Sequence, residues 1–161
     1  MLRLSKKAEY ALMALKDLAS RSETEAASAR EIAERYGIPV ELMAKVLQRL
    51  VRRDLLVSQH GTRGGYLLSR SSSRISVADV IEAIDGPVMV TACTSADDDC
   101  EQYATCNIRD PLWRIKDQIV QALTSYSIKA LAADEPPLVP IALSPRDETV
   151  DTGSGVPVPT R

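Results

Sequence analysis

A mainly α chain with one small β-hairpin is predicted, on three observations. Apolar residues recur every three or four positions through residues 5–21, 39–53 and 111–126, the period of helices buried on one face. Residues that start and stop helices bracket those stripes. Two short runs, Leu55-Leu56-Val57-Ser58-Gln59 and Tyr66-Leu67-Leu68-Ser69, flank a glycine-rich turn, His60-Gly61-Thr62-Arg63-Gly64-Gly65, the pattern of a hairpin.

The first helix opens at Ser5 as N-cap, with Ala8, Ala11, Leu12, Leu15, Leu18 and Ala19 on its apolar stripe. Ser28-Ala29-Arg30-Glu31 matches a capping box and starts a short helix to about Tyr36. Gly37 ends it, where the left-handed conformation is easiest for glycine. Pro39 begins a third helix, in whose first turn a missing N–H is harmless, with Leu42, Met43, Val46, Leu47 and Leu50 inward. The hairpin follows. Ser76-Val77-Ala78-Asp79 is a second capping box, opening a helix to about Asp85 that Gly86-Pro87 breaks. Asp110 as N-cap and Pro111 at the first position start a long helix striped by Leu112, Ile115, Ile119, Leu123 and Tyr126.

Two short helices joined by a tight glycine turn and followed by a hairpin make a winged helix-turn-helix. The expected organisation is a winged helix-turn-helix domain over 1–86 and a cysteine loop over 87–109. A dimerisation helix over 110–133 and a disordered tail over 134–161, where prolines recur among polar residues, complete it.

The 161 residues suffice for one domain with an accessory element, and aliphatic packing must dominate a chain with no Phe and one Trp. No apolar run approaches the roughly 18 residues of a membrane span. The start, Met1 to Lys7, lacks the pattern of a signal peptide. A cytoplasmic setting is expected, where thiols stay reduced. The net charge of −2 conceals an asymmetry: residues 1–70 carry 13 Lys+Arg against 8 Asp+Glu, and residues 71–161 carry 7 against 14. A basic half is the footprint of a polyanion partner.

In the third helix Glu41, Lys45, Gln48 and Arg52 share one face. The N-terminal end of a recognition helix reaches base edges, so Glu41, Ala44 and Lys45 are candidates for bases. Gln48, Arg49 and Arg52 are candidates for phosphates. In the wing, Gln59, His60 and Arg63 sit beside glycines that let backbone approach DNA closely. A solvated charge stripe and an ordinary hairpin turn are the plainer readings of the same residues.

Cys93-x6-Cys100-x5-Cys106 holds all three cysteines of the chain. An odd number of thiols cannot all pair, and three soft donors on one loop suit an iron–sulfur cluster, zinc or copper(I). The long gaps suit a larger inorganic core better than the short cysteine pairs of zinc sites. The loop holds no histidine, so the fourth ligand must come from a carboxylate elsewhere in the protein or from outside it, as an external thiol or water. Glu9, supplied by a second subunit, and Asp110 are the candidates; each also has an ordinary job, as an exposed helix carboxylate and a helix cap. Asp97-Asp98-Asp99 reads better as a solvated acidic turn. His60, the only histidine, lies on the wing. With no nucleophile elbow, histidine base or phosphate-binding glycine loop, an enzyme is not expected.

Taken together, these residues resemble the IscR/NsrR-type iron–sulfur transcription regulators, winged-helix homodimers of bacteria. The resemblance covers residues 1 to about 133. It is carried by Leu4-Ser5-Lys6 with Tyr10-Ala11, Arg63-Gly64-Gly65-Tyr66-Leu67-Leu68, Ser76-Val77-Ala78-Asp79-Val80-Ile81 with Ala83-Ile84, the three cysteines, and Leu112-Trp113-Arg114. Met1-Leu2-Arg3-Leu4-Ser5-Lys6 and Cys106-Asn107-Ile108-Arg109 look most like the subgroup regulating sulfur-mobilisation (SUF-type) cluster-assembly operons. The resemblance implies ligation of a 2Fe–2S or 4Fe–4S cluster by Cys93, Cys100 and Cys106. Three positions depart from the pattern. Arg109 stands where IscR-type members carry a histidine, which argues against a histidine-ligated 2Fe–2S cluster. Glu9 stands where NsrR-type members have a partner-subunit aspartate ligand, which favours 4Fe–4S. His60 replaces a common wing arginine. The expected function is a homodimeric repressor on a palindromic operator, controlling cluster-assembly or iron, redox or nitric-oxide stress genes through a labile cluster. The rivals are a zinc-bound or metal-free regulator and, from another class, a small iron–sulfur redox or cluster-carrier protein.

Overall fold

A computed structural model of the chain describes residues 3–61, 64–90 and 105–134. The order of elements is α1 (Lys6–Ala19), α2 (Ala29–Tyr36), α3 (Val40–Arg52), β1 (Leu56–Gln59), β2 (Gly65–Leu68), α4 (Val77–Asp85), α5 (Arg109–Ser125) and α6 (Ile128–Ala132), with a 3-10 turn over Ser72–Arg74. Among the described residues the chain is mainly helical with one two-stranded antiparallel sheet, as its periodicities predict. Among the described residues no helix is long and apolar enough to cross a membrane.

Local chemistry sets most boundaries. The Ser5, Ser28 and Ser76 hydroxyls each accept the backbone N–H three residues on. At Ser76 the box is reciprocal, because Asp79 accepts the Ser76 N–H at 2.9 Å. At Ser28 the cap forms, but the Glu31 carboxylate turns to Arg21 at 2.7 Å. Gly37 ends α2 at φ 64°, a conformation strained for any residue with a Cβ. Ser5 also fastens the start of α1 to the last residue of α4: its Oγ donates to Asp85 at 2.6 Å.

The fully buried side chains come from every layer: Leu15 of α1, Ile32 of α2, Met43, Leu47 and Leu50 of α3, Leu56 of β1, Ile75, Val80 of α4 and Ile128 of α6. No aromatic ring is among them, in keeping with a chain with no Phe and one Trp; Tyr10, Tyr36, Tyr66 and Tyr126 pack partly buried against this core. The strands pair Leu56 with Leu68 and Gln59 with Gly65. Ala27 adds an antiparallel bridge to Tyr66, accepting its N–H at 2.9 Å. A Cβ on Gly65 would lie 2.6 Å from the Ala27 backbone, so this residue must be glycine for the hairpin to seat against the helices.

The stretch after the cysteine loop differs from expectation at both ends. The helix does not begin at an Asp110 cap. It starts at Arg109; Ile108 occupies the cap position, without a side-chain bond, and its carbonyl accepts the Leu112 N–H at 3.0 Å. Asp110 and Pro111 are its second and third residues. Pro111 is tolerated there because the first four N–H groups of a helix have no intrahelical acceptor. Nor does one helix run on to Ala132. It ends at Ser125, because Tyr126 turns extended and its carbonyl accepts the Val77 N–H at 2.9 Å. Ile128 then donates to the Ile75 carbonyl at 2.8 Å, and the Ser127 hydroxyl caps α6. Residues 126–132 thus belong to the winged-helix body, with α6 packed on α1. The tail expected from 134 lies, from 135 on, outside the described residues.

Candidate functional site

The helix-turn-helix presents α3. Met43, Val46, Leu47 and Leu50 are buried beneath it, and its outer face carries the exposed Glu41, Lys45, Gln48, Arg49, Arg52 and Arg53. Ala44 is half-buried. The acidic Glu41 sits in the first turn and Arg49 and Arg52 in the last, the favourable order for the helix dipole. Glu41 can accept from a cytosine amine and Lys45 can donate to guanine acceptors, while arginines near the far end suit phosphates. Arg49 has a structural bond as well: its Nε donates to the Ala83 carbonyl of α4 at 3.0 Å. That contact holds the guanidinium in place and ties α3 to the helix leading into the cysteine loop.

The wing projects beyond. Gln59, the last residue of β1, and His60 are exposed. Gly61 adopts φ 124°, and its carbonyl accepts the Gly64 N–H at 2.9 Å. A Cβ on Gly64 would meet the Gln59 carbonyl at 2.5 Å. Arg63, the third wing candidate, lies outside the described residues.

Two features were not expected from sequence. Lys7, on the first turn of α1, lines the same shallow depression as Lys45, Arg49 and Arg52. No spacing rule links the start of one helix to the face of another 40 residues on, so only the packing brings them together. The second is Asp17, buried under α1. It accepts from Arg21 Nε at 2.8 Å, from Arg35 and from the Tyr36 hydroxyl at 3.1 Å. Burial, together with that bond to Asp17, pushes the Tyr36 hydroxyl above its ordinary pKa.

Of the candidate cluster ligands, Cys106 is a half-buried thiol just before α5. Cys93, Cys100 and the acidic turn Asp97–Asp99 lie outside the described residues. Among the described residues no three or more His, Cys, Asp or Glu side chains are gathered to hold a metal. Glu9 is half-buried and paired with Lys6 at 2.5 Å, so ligation to a second subunit would require that pair to open. Asp110 is exposed and accepts from Arg109 Nε at 2.8 Å. The Arg109 hydrogen bond and charge hold its carboxyl below the usual carboxylate range. The donor chemistry fits an iron–sulfur cluster: soft thiolates with a carboxylate within the chain's means.

The Rrf2 family, described as "Iron-dependent Transcriptional regulator", matches residues 4–134. This chain belongs to the Rrf2 family. The match spans α1 through α6, the wing and all three cysteines. Among relatives, the HTH-type transcriptional regulator IscR of Xenorhabdus nematophila is 34% identical over 135 residues, covering 83% of this chain and 81% of the relative. IscR of Serratia proteamaculans is 31% identical over 160 residues, covering 99% and 96%. Among solved structures, CymR, the global cysteine regulator of B. subtilis, superimposes with a TM-score of 0.69 at 26% identity, covering 84% of this chain and all of CymR. T. potens IscR does so at 0.65 and 25% identity, covering 83% and 88%. As an Rrf2 protein the chain is a winged helix-turn-helix transcriptional regulator of the IscR type, and not an enzyme.

Proposed function

We propose that this Rrf2 protein is a homodimeric repressor whose hold on DNA depends on an iron–sulfur cluster. The observation that carries the reading is one chain joining an Rrf2 helix-turn-helix to Cys93, Cys100 and Cys106, its only thiols. When bound, the cluster supplies a centre sensitive to iron supply, oxidant and nitric oxide. The three cysteines are the ligands, and Glu9 of a second subunit is the fourth, ahead of Asp110. Arg109, a permanent cation already bonded to Asp110, cannot serve as the nitrogen donor that a histidine-ligated 2Fe–2S cluster needs. A 4Fe–4S cluster is therefore favoured. The resemblance of the N-terminus and of Cys106–Arg109 to SUF-type regulators points to cluster-assembly genes as targets.

Two copies are needed if Glu9 crosses between subunits. No residue of α5 is fully buried, and Trp113 and Ile115 are exposed by 39% and 45%, which supports α5 as the dimer face. A two-fold dimer presents two α3 helices to half-sites about 10 bp apart on a palindromic operator.

The test is anaerobic purification with visible spectroscopy and iron and sulfide assays. Cys93→Ala, Cys100→Ala and Cys106→Ala are each expected to lose the brown colour and most of the iron. Glu9→Ala is expected to keep iron but with an altered spectrum and faster loss in air. A cysteine variant with full iron content removes that residue from the ligand set. Colourless wild-type protein that still binds its operator tightly would favour a metal-free regulator.

A further inference from the structure

A shallow depression of about 230 Å³ lies between the start of α1 and the outer face of α3. Lys7, Lys45, Gln48, Arg49 and Arg52 line it, with Ile84 of α4. None of the described residues lining it is acidic. The four cations are exposed, and among the described residues none of them is ion-paired. Other lysines of α1 are engaged: Lys6 by Glu9 at 2.5 Å and Lys16 by Asp134 at 2.6 Å. Like charges gathered in one recess repel each other, and a polyanion offsets that repulsion. Arg49, which lines the recess, is restrained by its 3.0 Å bond to the Ala83 carbonyl, so less side-chain freedom is lost when it meets an anion.

We propose that Lys7 is a phosphate-contact residue of the DNA interface, completing with Arg49 and Arg52 a seat for one strand's backbone on the flank of α3, beside the base-reading Lys45. The inference rests on α3 being the recognition helix and extends the interface to α1. Contacts of this kind fix the register of a protein on the duplex and carry no sequence information. Lys7 should therefore contribute affinity on every sequence and discrimination on none.

The experiment measures binding of the full-length, anaerobically purified protein across a range of salt. One labelled duplex has random sequence; the other carries an operator selected from a random pool. Lys7→Ala is expected to weaken both by the same factor, leaving their ratio unchanged. It should also reduce the slope of log K on log salt by about one, the signature of one lost phosphate contact. Lys7→Arg should keep the slope. Lys16→Ala removes the same charge from α1, but roughly half a turn round and about 14 Å along the helix. It should bind as wild type. An unchanged slope in Lys7→Ala overturns the proposal, as does an equal fall in Lys16→Ala, which would mean that net charge alone matters. Lys45→Ala and Arg52→Ala separate the two readings. If they weaken binding and Lys7→Ala does not, only the Lys7 assignment falls; if all three bind as wild type, the α3 interface falls with it.

Discussion

Asp17→Ala is expected to remove about 3–5 kcal/mol of stability, the range for breaking a buried ion pair by deleting one partner. The Asp17 side chain is 2% exposed, and the Arg21 side chain beside it 8%. The carboxylate takes three donors at once, two from arginines and one from Tyr36. It thereby locks α1 to α2, the first helix of the DNA-binding unit. Deleting it leaves the buried Arg21 cation with only solvent-facing carboxylates, Glu31 at 2.7 Å and Glu25 at 3.5 Å. Against a total of roughly 5–15 kcal/mol for a domain, such a loss is a large fraction. Urea unfolding should show a lower midpoint with an unchanged slope. Arg35→Ala alone should cost less, since Arg35 is half-exposed, and the double variant should fall short of the sum because both changes disrupt one network. A loss below about 1 kcal/mol for Asp17→Ala would mean that solvent reaches the group and the network is not structural.

Asp17 also marks where sequence reading stops. Its neighbours on the α1 stripe are small and aliphatic, and nothing local distinguishes it from a solvated helix carboxylate. Arg21 is four residues on, but the other two partners lie 18 and 19 residues away on another helix. Features set within a few residues were legible: the serine caps, the glycine stop at Gly37, the hairpin and the amphipathic face of α3. Where two local solutions competed, the reading slipped. Asp110-Pro111 is a valid helix start, but Arg109 bonds the Asp110 carboxylate and the helix begins two residues earlier, at Arg109 rather than Pro111. The apolar spacing from Ile119 through Leu123 to Tyr126 continues a helix perfectly well. Only hydrogen bonds to Ile75 and Val77, 50 residues back, end it. The candidate site divides the same way. Exposure of Glu41, Lys45, Gln48 and Arg52 follows from period alone, whereas the Arg49 bond to Ala83 and the approach of Lys7 depend on packing.

The division of residues 109–132 into two helices has a measurable consequence, because the halves should fail differently. Ile128 is fully buried, and α6 packs on α1 through it. Ile128→Ala is expected to lose about 2–5 kcal/mol, the usual range for emptying a buried aliphatic site. The loss should appear as a lower thermal or urea midpoint, extrapolated to a fixed protein concentration so that dimer dissociation does not contribute. Ile115, by contrast, is 45% exposed on α5 and makes no part of the core. Ile115→Glu should change the stability of the isolated subunit by no more than about 0.5 kcal/mol, as surface substitutions do. In a dimer built on α5 the same change would bury a carboxylate without a partner, so light scattering should report monomers and operator affinity should collapse toward that of a single half-site. If Ile115→Glu remains a dimer with wild-type operator affinity, subunits meet elsewhere. If Ile128→Ala leaves stability unchanged, the 126–132 segment is not held to the winged-helix body as described. The two variants also bear on signalling. In the proposed dimer, α5, joined to the DNA-binding body at Tyr126 and Ile128 and preceded at its other end by Cys106, would couple a rearrangement of the cysteine loop to the spacing of two α3 helices.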